Sequence, residues 1–102
     1  MGKNRVIRSL GKIIGNLVVH KITFRHGNIK ESKGHTSKEI ISYRDNAIEV
    51  AQEFNWNDYD KSKIKQIALR EFNKKMNTKY SDIKYPKAEV NETINKTINE
   101  CI

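Results

Sequence analysis

The chain is poor in the residues that break helices, close disulfides or cross membranes. Its first third almost lacks acids. There is one cysteine, Cys101, so no internal disulfide can form. Stability must come from packing, and a reducing, cytoplasmic setting is expected. No apolar run approaches the ~20 residues needed to span a bilayer, so no transmembrane segment is expected. The N-terminus is basic and amphipathic, but Asn16 and His20 interrupt its apolar stretch and no small-residue cleavage site follows, which argues against a secretory leader. A transit peptide shares this composition. One proline (Pro86) and five glycines leave few breaks, so helices can run long.

Recognisable chemistry is also scarce. No serine sits in a Gly-x-Ser-x-Gly elbow. Gly11 and Gly15 flank an apolar helical turn rather than the strand-to-helix junction of a phosphate loop. His20, His26 and His35 are six and nine residues apart, which fits neither half of a zinc pair. Asp58 and Asp60 begin like a calcium loop, but its sixth position is Lys63 instead of Gly and its twelfth is Leu69 instead of Glu. Helix capping accounts for both acids. Cys101 lies one residue from the end, where chains fray, and a helix C-terminus with Glu100 beside it disfavours a thiolate. Neither metal nor cofactor is expected, and the chain does not read as an enzyme. Asn91-Glu-Thr93 and Asn95-Lys-Thr97 match the glycosylation sequon but read as helix surface, with Asn91, Asn95 and Asn99 in one solvated stripe.

What is present is helical periodicity. An apolar fraction of 36% in 102 residues supports one modest core and a single domain over 1–102. The first helix spans 3–24, with Val6, Leu10, Ile13, Ile14, Leu17 and Phe24 on one stripe and Arg8, Lys12 and Asn16 on another. Gly15 and the β-branched run at 18–23 weaken it, but a lone strand there would have no partner. Residues 25–35 form a polar loop. Thr36 and Glu39 have capping-box spacing and open a second helix to about Phe54, with Ile40, Tyr43, Ala47, Val50, Ala51 and Phe54 inward. Asn57, Asp58 and Asp60 are competent caps for a third helix over 60–77, with Ile64, Ile67, Ala68, Phe72 and Met76 inward. Pro86 suits the first turn of a fourth helix over 86–102, with Val90, Ile94, Ile98 and Cys101 on one side. The expected fold is an all-α, compact four-helix domain. Trp56, Tyr59, Tyr80 and Tyr85 fall in the connections, where they either plug the ends of the bundle or offer stacking surfaces.

Charge is the strongest functional signal. Residues 1–38 hold nine Lys/Arg against Glu31 alone, while residues 39–102 hold eleven of each sign. The net charge of +8 is the surplus of the first third. Such asymmetry points to a polyanionic partner, with nucleic acid first. Phosphate contacts are expected from Arg5, Arg8, Lys12, Lys21, Arg25, Lys30 and Lys33. Lys63, Arg70 and Lys74 on the third helix, beside Gln66, Asn73 and Asn77, extend the surface if that helix lies on the same side, and Glu71 opposes it. The rival readings are docking on an acidic protein, a homo-oligomer, and attachment of the amphipathic first helix to an anionic membrane.

Overall fold

The computed structural model describes residues 2–27 and 33–102, with side chains from residue 38 onward in the second segment. Four helices run in the order α1 (Lys3–His26), α2 (Lys33–Ala51), α3 (Asp58–Lys79) and α4 (Lys87–Cys101), with no strand among the described residues. The expected all-α architecture is present, with shifts at each boundary.

α1 is the hub. It packs on all three other helices, whereas α2 and α3 make no direct packing with each other among the described residues. This central position explains why α1 continues through its β-branched segment. Val18, Val19, Ile22 and Thr23 are buried along with Leu10, Ile14 and Leu17. Burial on several sides outweighs a propensity deficit of a few tenths of a kcal/mol per residue. The single stripe expected from the sequence was therefore too narrow. Ile13 and Phe24, which it included, are only half-buried, while Ile7 and Val18, which it omitted, are buried.

Gly11 and Gly15 set the α1–α3 crossing. A β-carbon on Gly11 would lie 2.5 Å from the Ile67 side chain, and one on Gly15 would lie 2.8 Å from the Ala68 carbonyl oxygen. The two glycines weaken the helix locally so that α3 can approach. Residue 3 pairs with 60, 11 meets 64 and 67, and 15 meets 68 and 71, so α1 and α3 run parallel. On α4, Thr97 and Glu100 bond Lys21 while Glu89 and Thr93 bond Arg25, so α4 runs antiparallel to α1. α2 is also antiparallel, with Glu39 and Tyr43 at His20 and Ala51 bonded to Trp56, whose ring Lys3 covers.

The helix ends have local causes. α3 starts two residues earlier than expected because Asn57 is its cap. The Asp60 N–H donates to Asn57 Oδ1 at 2.8 Å, and the Asn57 N–H donates to Asp60 Oδ2 at 3.3 Å, a complete capping box. α2 stops at Ala51 instead of Phe54 because the Trp56 indole N–H donates to the Ala51 carbonyl at 2.8 Å. α2 also begins at Lys33, ahead of the Thr36 start expected for it, and Glu39 turns its carboxylate to His20 of α1. Of the loop expected over 25–35, Arg25 and His26 belong to α1 and the residues from Lys33 to α2, while 28–32 lie outside the described residues. Pro86 occupies the cap position of α4, one place before the first turn.

The connections carry aromatic plugs. Trp56 meets Phe54 edge-on, Tyr85 meets Phe72 edge-on at 5.5 Å, and Tyr80 is half-buried against the core. Tyr59 is not a plug: it is 67% exposed, under the Lys63 ammonium. Cys101 does not fray but is 5% exposed at the bundle end.

Candidate nucleic-acid interface

The helices divide sharply by charge. α1 carries six Lys/Arg and no acid, and α3 carries seven against Asp58, Asp60 and Glu71. α2 holds three of each sign, and α4 holds two bases against three acids. The two basic helices are the pair in closest contact, so the fold joins a linear excess at the N-terminus to a second one that sequence position had hidden among compensating acids.

Three of the α1 cations are paired with acids of other helices, although the Arg25 side chain stays 49% exposed. Lys3 Nζ lies 2.6 Å from Asp60 Oδ2 and 5.5 Å from the centre of the Trp56 ring. It ties the two basic helices together at their N-termini and holds the Asp60 carboxyl below its ordinary range. Lys21, with its side chain 15% exposed, donates to Thr97 Oγ1 at 3.0 Å and to Glu100 at 3.2 Å. Arg25 donates to Glu89 at 3.0 Å and to Thr93 Oγ1. His26 Nε2 lies 2.7 Å from the same Glu89, whose carboxyl is held down by the Arg25 guanidinium first and by His26 second. Thr93 and Thr97 are buried, so these contacts seal the α1–α4 seam.

The remaining α1 cations point outward. Arg5, Arg8 and Lys12 are exposed and form no ion pair among the described residues. Helical register relates them to α3. Gly11, which Ile67 overlies, is three residues after Arg8 and one before Lys12. Ile67 is four after Lys63, three before Arg70 and seven before Lys74. Both sets lie on the side of the α1–α3 contact away from α4, so Arg5, Arg8, Lys12, Lys63, Arg70 and Lys74 share one surface. Glu71 lies at its edge, with its β-carbon near Gly15. Lys30 lies outside the described residues, as does the side chain of Lys33.

A hollow of about 260 Å³ extends this surface toward the C-terminal half of α1. Asn16 and Val19 form its floor, Glu39 and Tyr43 the α2 wall, and Lys75, Lys79 and Tyr80 the α3 wall. His20 stacks on Tyr43 at 5.2 Å, and its Nδ1 is 3.3 Å from Glu39 Oε2. Sequence reasoning missed Lys75 and Lys79. Their i, i+4 spacing was the available signal, but only the α1–α3 contact gives them a common floor.

No group of three metal-binding side chains occurs among the described residues, and no helix there is long and apolar enough to cross a membrane. No protein-family model, curated protein or solved structure matches this chain.

Proposed function

We propose that this protein binds nucleic acid through the surface shared by α1 and α3. One observation carries the reading: the two helices with a cationic surplus are packed side by side, and Arg5, Arg8, Lys12, Lys63, Arg70 and Lys74 face away from the core on one side of them. Arg and Lys presented on a helical scaffold contact phosphates and displace condensed counterions, which supplies sequence-independent affinity. Lys21 and Arg25 belong to the α1–α4 seam and are not counted among the contacts. No catalytic step, metal or cofactor forms part of the proposal.

The rival readings have weaker support. Leu10 and Leu17 are fully buried and Ile13 packs against the core, so membrane attachment through α1 would require opening the bundle. Among the described residues the large exposed apolar side chains are Ile41 and Tyr59, which lie on neither α1 nor α4, and an acidic or self-associating partner gains no apolar patch there.

The test is a salt titration of binding to mixed-sequence oligonucleotides by fluorescence anisotropy. Six phosphate contacts predict a log–log slope of about −5 on duplex DNA and a shallower one on single strands. Arg8→Glu/Lys12→Glu weakens binding to all sequences about equally. Absence of binding at ~50 mM salt, where such contacts are strongest, overturns the proposal.

A further inference from the structure

We infer that the hollow between α2 and α3 receives an unpaired nucleobase, so that the preferred ligand of the basic surface is a single strand rather than a duplex. This rests on the nucleic-acid reading above and specifies its substrate class.

Three observations converge. The first is continuity. Arg8, Lys12 and Asn16 stand at successive i, i+4 positions, and the Asn16 side-chain N–H donates to the Lys12 carbonyl at 3.0 Å. The stripe covers about 12 Å of helix axis and leads from the exposed cations into the floor of the hollow. A strand whose phosphates follow Arg8 and Lys12 is brought to that opening.

The second is the lining. Tyr43 from α2 and Tyr80 from the end of α3 both line the hollow, and Tyr43 is already stacked on His20, so a base entering there would extend an existing stack, whatever its identity. The Asn16 carboxamide has an oxygen not used by its bond to Lys12, and amides pair with base edges. Lys75 and Lys79 add two cations to the lining, charge suited to the phosphates on either side of an inserted base. Glu39 is the one acid in the lining, and its carboxylate is directed at His20.

The third is size. The hollow, at about 260 Å³, falls just under the roughly 300 Å³ at which pockets for drug-sized molecules begin, so a single ring system is the fitting occupant. A duplex cannot deliver one without unstacking and unpairing it, at a cost that a single strand avoids.

The test uses the whole chain and two measurements. Anisotropy compares a short fluorescein-labelled single strand with the same strand annealed to its complement. Photocrosslinking of the single strand carrying 5-iodouracil, read by peptide mass spectrometry, locates the base without any protein variant. The inference expects the single strand to bind about tenfold tighter and the crosslink to fall on Tyr43 or Tyr80. Lys75→Gln/Lys79→Gln then weakens the single strand more than the duplex. Equal affinities, with crosslinks confined to residues outside the hollow and binding still lost in Arg8→Glu/Lys12→Glu, overturn the inference while the nucleic-acid reading stands. No binding of either form overturns both.

Discussion

Gly15 of α1 lies against the backbone of Ala68 on α3, so close that an added β-carbon would stand 2.8 Å from the Ala68 carbonyl oxygen. A backbone atom cannot swing aside as a side-chain tip can. Gly15→Ala gains up to about 1 kcal/mol of helix propensity but forces the helices apart, at a cost of roughly 1–3 kcal/mol. We expect a net loss of stability in urea melts. At Gly11 the obstacle is the Ile67 side chain. Gly11→Ala should therefore be partly rescued by Ile67→Ala, a coupling that a double-mutant cycle measures. Additive losses would mean that the Gly11 contact is slack.

Two carboxylates predict how the fold fails in acid. Glu89 is held below its ordinary value of 4.5 by Arg25 and His26, and Asp60 below 3.8 by Lys3. A carboxyl depressed in the folded state stabilises it above the unfolded value, and that contribution is lost as pH falls through the lowered one. Thermal midpoints should hold from pH 7 to about 5 and decline below about 4.5. Glu89→Gln should be less stable than the parent at pH 7 and show a shallower acid decline. An unchanged decline would remove Glu89 from the account.

How much of this was legible beforehand depended on whether the cause was local. The four helices were readable because their periodicity lies in neighbouring residues: Ile64, Ala68, Phe72 and Met76 are buried, as are Val90, Ile94, Ile98 and Cys101. The end of α2 was not, since it depends on an indole five residues past Ala51. Gly15 looked like a weakness of the helix until Ala68 supplied its reason, and only the packing of Ile67 gives Gly11 one. The candidate surface was half-legible. Arg5, Arg8 and Lys12 stood out by charge, but nothing local distinguishes them from Lys21 and Arg25, whose acids lie more than sixty residues away. Lys75 and Lys79 were hidden for the same reason.

Cys101 should be slow to alkylate. Burial pushes its thiol pKa up, and the neighbouring Glu100 adds to the effect. Little thiolate is then present at neutral pH. Iodoacetamide labelling followed by mass spectrometry should show a rate well below that of a free thiol at pH 7.5, rising to the free rate in denaturant. Rapid labelling of the native protein would mean that the C-terminal turn opens readily.

Glu71 offers a substitution that should improve binding. It is the acid beside Gly15 at the edge of the proposed interface. Removing one negative charge a few ångströms from a phosphate in water is worth about 1 kcal/mol at most. Glu71→Gln should therefore raise nucleic-acid affinity roughly 2- to 5-fold at low salt, with the gain shrinking as salt is added. An anisotropy titration of both proteins checks it. Unchanged affinity at low salt would place the bound phosphates away from α3.

The separation between structural and exposed cations gives the most discriminating comparison. Lys21 and Arg25 bond acids and buried threonines of α4, whereas Arg8 and Lys12 form no ion pair among the described residues. Replacing Lys21 with Met strips Thr97 and Glu100 of a donor at the seam, and should cost about 1 kcal/mol of stability. At a temperature where both proteins are folded, its nucleic-acid affinity should stay within about twofold of the parent, as expected if Lys21 touches no phosphate. Arg8→Ala/Lys12→Ala should show the reverse, with stability within about 0.5 kcal/mol and a salt slope reduced by about two. Charge counting alone predicts equal binding losses per cation removed in both variants. If Lys21→Met lost as much affinity per charge as the Arg8/Lys12 pair, the division of the α1 cations between seam and surface would be wrong.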